Sequence, residues 1–98
     1  MKFGLSKKEL LILKNIFINF SEIDEVLIFG SRALGNFKNS SDVDLALKGN
    51  IDHNLITKVS RKINSESTLP YKFDIINYKT ISNLDLKKHI DDFGKRMF

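Results

Sequence analysis

Asp42 and Asp44 in the run Ser41-Asp42-Val43-Asp44-Leu45, and Asp74 in Tyr71-Lys72-Phe73-Asp74-Ile75-Ile76, are the residues whose types and spacing could do chemistry. Successive side chains of a strand alternate faces, so Asp42 and Asp44 point one way while Val43, Leu45 and Leu47 point the other. Asp74 likewise has the opposite parity to Tyr71, Phe73 and Ile75. If the two strands are neighbours, three carboxylates converge. Two unit charges about 4 Å apart repel by roughly 4 kcal/mol at an effective dielectric near 20, so such a cluster calls for a cation. Hard oxygen donors of this kind suit magnesium.

An anion site is expected close by. Val26-Leu27-Ile28-Phe29 is a β-branched and aromatic run, the pattern of a strand buried on both faces, and it ends at Gly30-Ser31. Ser31 is a good helix N-cap, Ser31 to Leu34 is long enough for one turn, and Gly35 is a natural stop. A strand feeding Gly and Ser into a helix start presents free backbone N–H groups, which bind phosphate. Two other phosphate motifs fail here. Gly30 and Gly35 have P-loop spacing, but Asn36 and Phe37 stand where Lys and Ser or Thr are needed. Arg32 occupies the second glycine of a Rossmann fingerprint.

Scaffold elements must hold these groups. Ser6-Lys7-Lys8-Glu9 is a capping box, and Leu10, Leu13, Phe17 and Phe20 recur at helical spacing, which predicts an amphipathic helix over 6–20. Leu11, Ile12, Ile16 and Ile18 widen its apolar surface, a surplus that suits an interface. Further helices are expected over about 51–65 and 82–93, the first separated from the Asp74 strand by Pro70 and the second stopped by Gly94. The fold class is therefore α+β, a small mixed β-sheet packed with helices. At 98 residues the chain has room for one domain, 1–98.

The string Gly30-Ser31-Arg32-Ala33-Leu34-Gly35, followed by Ser41-Asp42-Val43-Asp44-Leu45-Ala46, resembles the signature of the polymerase-β-type nucleotidyltransferases: Gly-Ser, then Asp-x-Asp at a fixed distance. Among them it is similar to the minimal nucleotidyltransferases (MNT), and the resemblance extends over essentially the whole chain. It implies a nucleotidyltransferase fold and magnesium-dependent transfer of a nucleoside monophosphate from a nucleoside triphosphate. Gly30, Ser31 and Arg32 would then bind nucleotide, and Asp42, Asp44 and Asp74 would be catalytic and hold Mg2+, with Asp74 also the base. A HEPN-type toxin is the implied partner, in a toxin-antitoxin pair where AMP passes from ATP to a toxin tyrosine. Two alternatives stay open: an antitoxin acting by binding alone, and a small-molecule nucleotidyltransferase.

Each residue also has a plainer role open to it. Arg32 could equally be an exposed arginine in a surface salt bridge. Ser31 could serve as helix cap and phosphate ligand at once. His53 and His89 stand at polar helix positions with no second ligand at i+4, so both are expected on the surface. Phe37 is expected to pack in the core or loop.

A net charge of +4 invites a nucleic-acid reading, but no basic run exceeds two residues and aromatic residues do not interleave with basic ones. Direct nucleic-acid binding is not expected; attraction for triphosphates or an acidic partner accounts for the charge. With no cysteine there is neither a disulfide frame nor a thiolate metal site. No apolar leader or membrane-spanning stretch is evident, so a soluble, cytoplasmic protein is expected.

Overall fold

Residues 1–98 are all described by the structure, a computed structural model. Helix α1 (Lys7–Phe17) starts on the expected capping box: Glu9 N–H donates to Ser6 Oγ at 3.1 Å and Ser6 N–H to Glu9 Oε1 at 2.9 Å. It ends three residues before the expected Phe20. Asn19 N–H bonds Ile16 O and Phe20 N–H bonds Phe17 O, tightening the chain into a turn, while the Asn19 side chain donates to Asn15 O. An Asn that finds local backbone partners competes with the helix.

Strand β1 (Ile23–Phe29) follows, then a single helical turn α2 (Ser31–Leu34), strand β2 (Val43–Gly49), helix α3 (His53–Asn64), strand β3 (Phe73–Asn77), helix α4 (Leu84–Phe93) and the two-residue β4 (Lys95–Arg96). Asp52 caps α3 by accepting from Leu55 N–H at 2.8 Å, and Asn83 caps α4 by accepting from Leu86 N–H at 3.1 Å. The sheet order is β3-β2-β1-β4, with β1 antiparallel to both β2 and β4, and β2 parallel to β3. The parallel pair requires a crossover, which α3 supplies. The mixed sheet packed with helices is thus observed; β4 was not anticipated, since Lys95-Arg96 carries no alternating pattern.

Strand parity sorts the apolar side chains. Val26 and Ile28 of β1, Val43, Leu45 and Leu47 of β2, and Phe73 and Ile75 of β3 meet Leu13 and Phe17 of α1 and Leu55, Val59 and Ile63 of α3. On the opposite face Leu27, Phe29 and Ala46 meet Ile90 of α4. The run Val26 to Phe29 is buried on both faces, as its composition implied. The apolar surplus of α1 is partly exposed, at Leu11 (57%) and Ile18 (74%), while Leu10, Ile12 and Ile16 are half-buried. No helix is long and apolar enough to cross a membrane.

Candidate active site

The three aspartates lie on one face of the sheet, the face covered by α4. Strands β2 and β3 are neighbours in a register that makes Asp44 and Asp74 direct cross-strand partners. Asp42 stands one residue before β2, two before Asp44, and so keeps its parity. Asp44 is half-buried, whereas Asp42 and Asp74 are exposed. Burial of the Asp44 carboxyl, then the nearby charges of Asp74 and Asp42, push it above the ordinary carboxylate range, against a smaller opposing influence of Arg32.

Gly30 meets this cluster edge-on. Phe29 pairs with Asp44 across the β1–β2 ladder, so the next residue, Gly30, arrives beside the carboxylate. Its φ of 72° lies in the left-handed region, and a Cβ there would collide with Asp44 Oδ2. Glycine is required on both counts. Gly30 is also the N-cap of α2, which makes Ser31 the first helical residue rather than the cap, and its hydroxyl makes no capping bond. Leu34 N–H closes onto Gly30 O and Gly35 N–H onto Ser31 O. The amides at the head of such a turn have no carbonyl one turn back, so Ser31 and Arg32 offer N–H groups there. The Gly30 amide, by contrast, is engaged: it donates to His89 Nε2 at 3.0 Å.

Arg32 departs from the expectation of an exposed surface salt bridge: it is 2% exposed and pairs with no carboxylate. Its guanidinium donates to Phe3 O at 2.9 Å, Asn39 O at 3.2 Å and Ser41 O through Nε at 3.2 Å and Nη2 at 2.9 Å. Its carbon lies 5.0 Å from the Phe37 ring centre and 4.9 Å from that of Tyr71. A planar fork bonded to three carbonyls and stacked on aromatic rings is a structural clamp. Because Ser41 and Asn39 immediately precede the Asp42–Asp44 fork, the clamp fixes the loop that delivers it. Phe37 packs as expected. His53 is exposed as expected, whereas His89 is half-buried against the Gly30–Ser31 turn. A sequence signal for it existed: Leu86, Ile90 and Phe93 fall with His89 on one helical stripe.

The donor set fits a hard divalent cation. It is all carboxylate, with no sulfur, and it keeps Asp44 against two like charges at a cost a cation would relieve. The side chains do not converge on a single point: no three of the chain's His, Asp and Glu groups are close enough to grip one ion together. What the backbone sets is two pairs sharing Asp44, one along β2 and one across to β3. Beside Asp74, on the outer edge of β3, a groove of about 420 Å³ is lined by Thr57, Ser60, Arg61 and Asn64 among others. Asn64 closes the strand edge there, accepting from Phe73 N–H at 2.8 Å and donating to Phe73 O at 3.0 Å.

A strand-to-helix glycine turn thus abuts a carboxylate face. The chain belongs to the polymerase beta nucleotidyltransferase family, whose model, described as "Polymerase beta, Nucleotidyltransferase", matches residues 12–98. It is thus an enzyme domain of that class. No curated protein matches it in sequence. Among solved structures it is similar to a toxin-antitoxin crystallised with AMP-PNP, at TM-score 0.73 and 18% identity over 95% of this chain and 73% of that one. It is also similar to a chain of the MntA-HepT toxin-antitoxin, at TM-score 0.68 and 16% identity over 95% and 72%. A third likeness is to a tri-AMPylated Shewanella oneidensis HEPN toxin in complex with MNT antitoxin, at TM-score 0.62 and 18% identity over 91% and 71%. At these identities the likeness is one of fold.

Proposed function

We propose that this domain, residues 1–98, is a magnesium-dependent adenylyltransferase that moves AMP from ATP to a tyrosine hydroxyl of a HEPN-type toxin bound to it. The observation that carries the reading is the register: Asp44 and Asp74 are cross-strand partners on one face, with the Gly30–Ser31 turn against Asp44. The solved structures of similar fold support the partner and the nucleotide, one holding AMP-PNP and another an AMPylated HEPN toxin.

Ser31, through its hydroxyl and the open amides of the α2 turn, would hold the terminal phosphates, while Gly30 supplies the tight turn that lets the chain pass Asp44. Asp42, Asp44 and Asp74 would hold magnesium, which when bound neutralises the triphosphate and makes the α-phosphorus a better electrophile. Asp74 is exposed on the outermost strand of the sheet, so an incoming hydroxyl can reach it. There it accepts the tyrosine proton as the hydroxyl oxygen bonds to the α-phosphorus. The bond from that phosphorus to the bridging oxygen breaks, and pyrophosphate leaves.

The test is intact-mass measurement of a cognate HEPN toxin after incubation with this protein, ATP and magnesium. An adenylyl increment on a tyrosine, absent with the double substitution Asp42→Asn and Asp44→Asn, is expected. A double variant that still protects cells from the toxin as well as the native protein would show neutralisation by binding alone.

A further inference from the structure

We infer that His89 is a positioning residue for the phosphate turn: its Nε2 holds the Gly30 amide and thereby sets how Ser31 is presented to nucleotide. The contact spans 59 positions of sequence and is a well-formed hydrogen bond of 3.0 Å. With Nε2 accepting, the proton of the neutral ring is on Nδ1. The ring is held in place by aromatic neighbours, edge-on to Phe29 at 6.1 Å between centroids and tilted against Phe93 at 5.6 Å. Phe29 is the last residue of β1, so His89 braces the strand end and the turn that follows it.

The turn needs such a brace. Gly30 has a positive φ and no side chain, which leaves its peptide freer to rotate than any other at this junction. Rotation would swing the Ser31 amide and hydroxyl and move the Cα that rests against Asp44. Within the chain the Gly30 amide has His89 as its partner, and α4 carries that acceptor onto the site face. The assignment of Ser31 to phosphate rests on the function proposed above; the latch itself does not.

Two substitutions separate the acceptor from the packing. Gln places a carbonyl oxygen near the position of Nε2, whereas Phe keeps an aromatic ring and removes the acceptor. Amide hydrogen exchange of isotope-labelled protein reads the latch without any assumption about activity. Gly30 exchange should quicken about fivefold to tenfold in His89→Phe, the loss of one modest hydrogen bond, and stay near native in His89→Gln. In transfer assays the nucleotide KM should rise by a similar factor in His89→Phe with kcat within about twofold, and His89→Gln should restore it. His89→Leu, equally without an acceptor, repeats the comparison should Phe not fit. Native Gly30 exchange in both Phe and Leu variants, or a Gln variant as impaired as they are, overturns the inference. If the native protein transfers no AMP, the exchange result still decides the latch, and only the proposed function fails.

Discussion

The two faces of the sheet are built to different standards. Thirteen strand and helix side chains plus Leu5 make the core on the α1 and α3 side, whereas the α4 side has four buried apolar residues. The difference follows from coverage and charge: α1 and α3 both pack on one face, whereas α4 alone packs on the other, against β1, and Asp44 and Asp74 take inward-facing strand positions of that face on β2 and β3. One face stabilises the fold and the other is left open for chemistry. A helix attached to a site face mainly through Ile90, His89 and neighbouring contacts should open locally before the rest.

The sharpest break of that contrast is chemical. Substituting both Asp42→Asn and Asp44→Asn should lower single-turnover transfer by at least about 10³-fold, since electrostatic groups at a reacting phosphate commonly matter on that scale. The melting temperature should not fall. A double variant that unfolds would mean the site face is also structural, and the contrast would be wrong.

Next in size is the clamp. Arg32→Ala should cost about 3 kcal/mol or more in denaturant unfolding, because hydrogen bonds to a charged group contribute about 1.5–3 kcal/mol each and several are lost together. Arg32→Lys should recover only part, lacking the planar fork. Should Arg32→Ala lose nucleotide affinity at unchanged stability, the buried assignment fails and the ligand role returns.

Core truncations grade the faces themselves. Leu45→Ala, fully buried on the packed side, should cost about 3 kcal/mol, within the usual range for leucine truncation. Ile90→Ala should cost about 2 kcal/mol because the thin side can relax around it, and amide exchange should speed selectively along α4. Equal costs with no selective exchange would show that the two faces are one cooperative core.

How much of this was legible in sequence follows the same division. Strand parity alone put Asp42, Asp44 and Asp74 on a common face, and the capping residues of α1 fixed its start. Register did not follow from parity: that Asp44 stands opposite Asp74 depends on how α3 returns the chain to β2. The buried Arg32 was hidden because its partners are backbone carbonyls, which leave no mark on residue identity. Metal-ligand spacing carries no signal for His89; its helical stripe with Leu86, Ile90 and Phe93 does. Strand β4 is two polar residues long and is made by pairing with β1, so no local pattern announces it.

The smallest expected effect is the one that tests why the site face is thin. Asp44 is pushed above the ordinary carboxylate range chiefly by burial and then by Asp74 and Asp42. Its folded pKa therefore exceeds its unfolded one, and between the two the native state binds more protons than the unfolded chain. Stability must then fall as pH rises through that window, and the penalty persists at neutral pH. Asp44→Asn removes the titration, so the variant should be the more stable protein at pH 7 without magnesium. Its advantage should shrink as pH drops through the window, because protonation relieves the native carboxylate too. Paired denaturant curves at a series of pH values isolate this from the other carboxylates, which titrate in both proteins. An advantage that is constant with pH, or a native protein that is the more stable at pH 7, would mean that Asp44 is not held at a cost and that no cation is needed to explain its place.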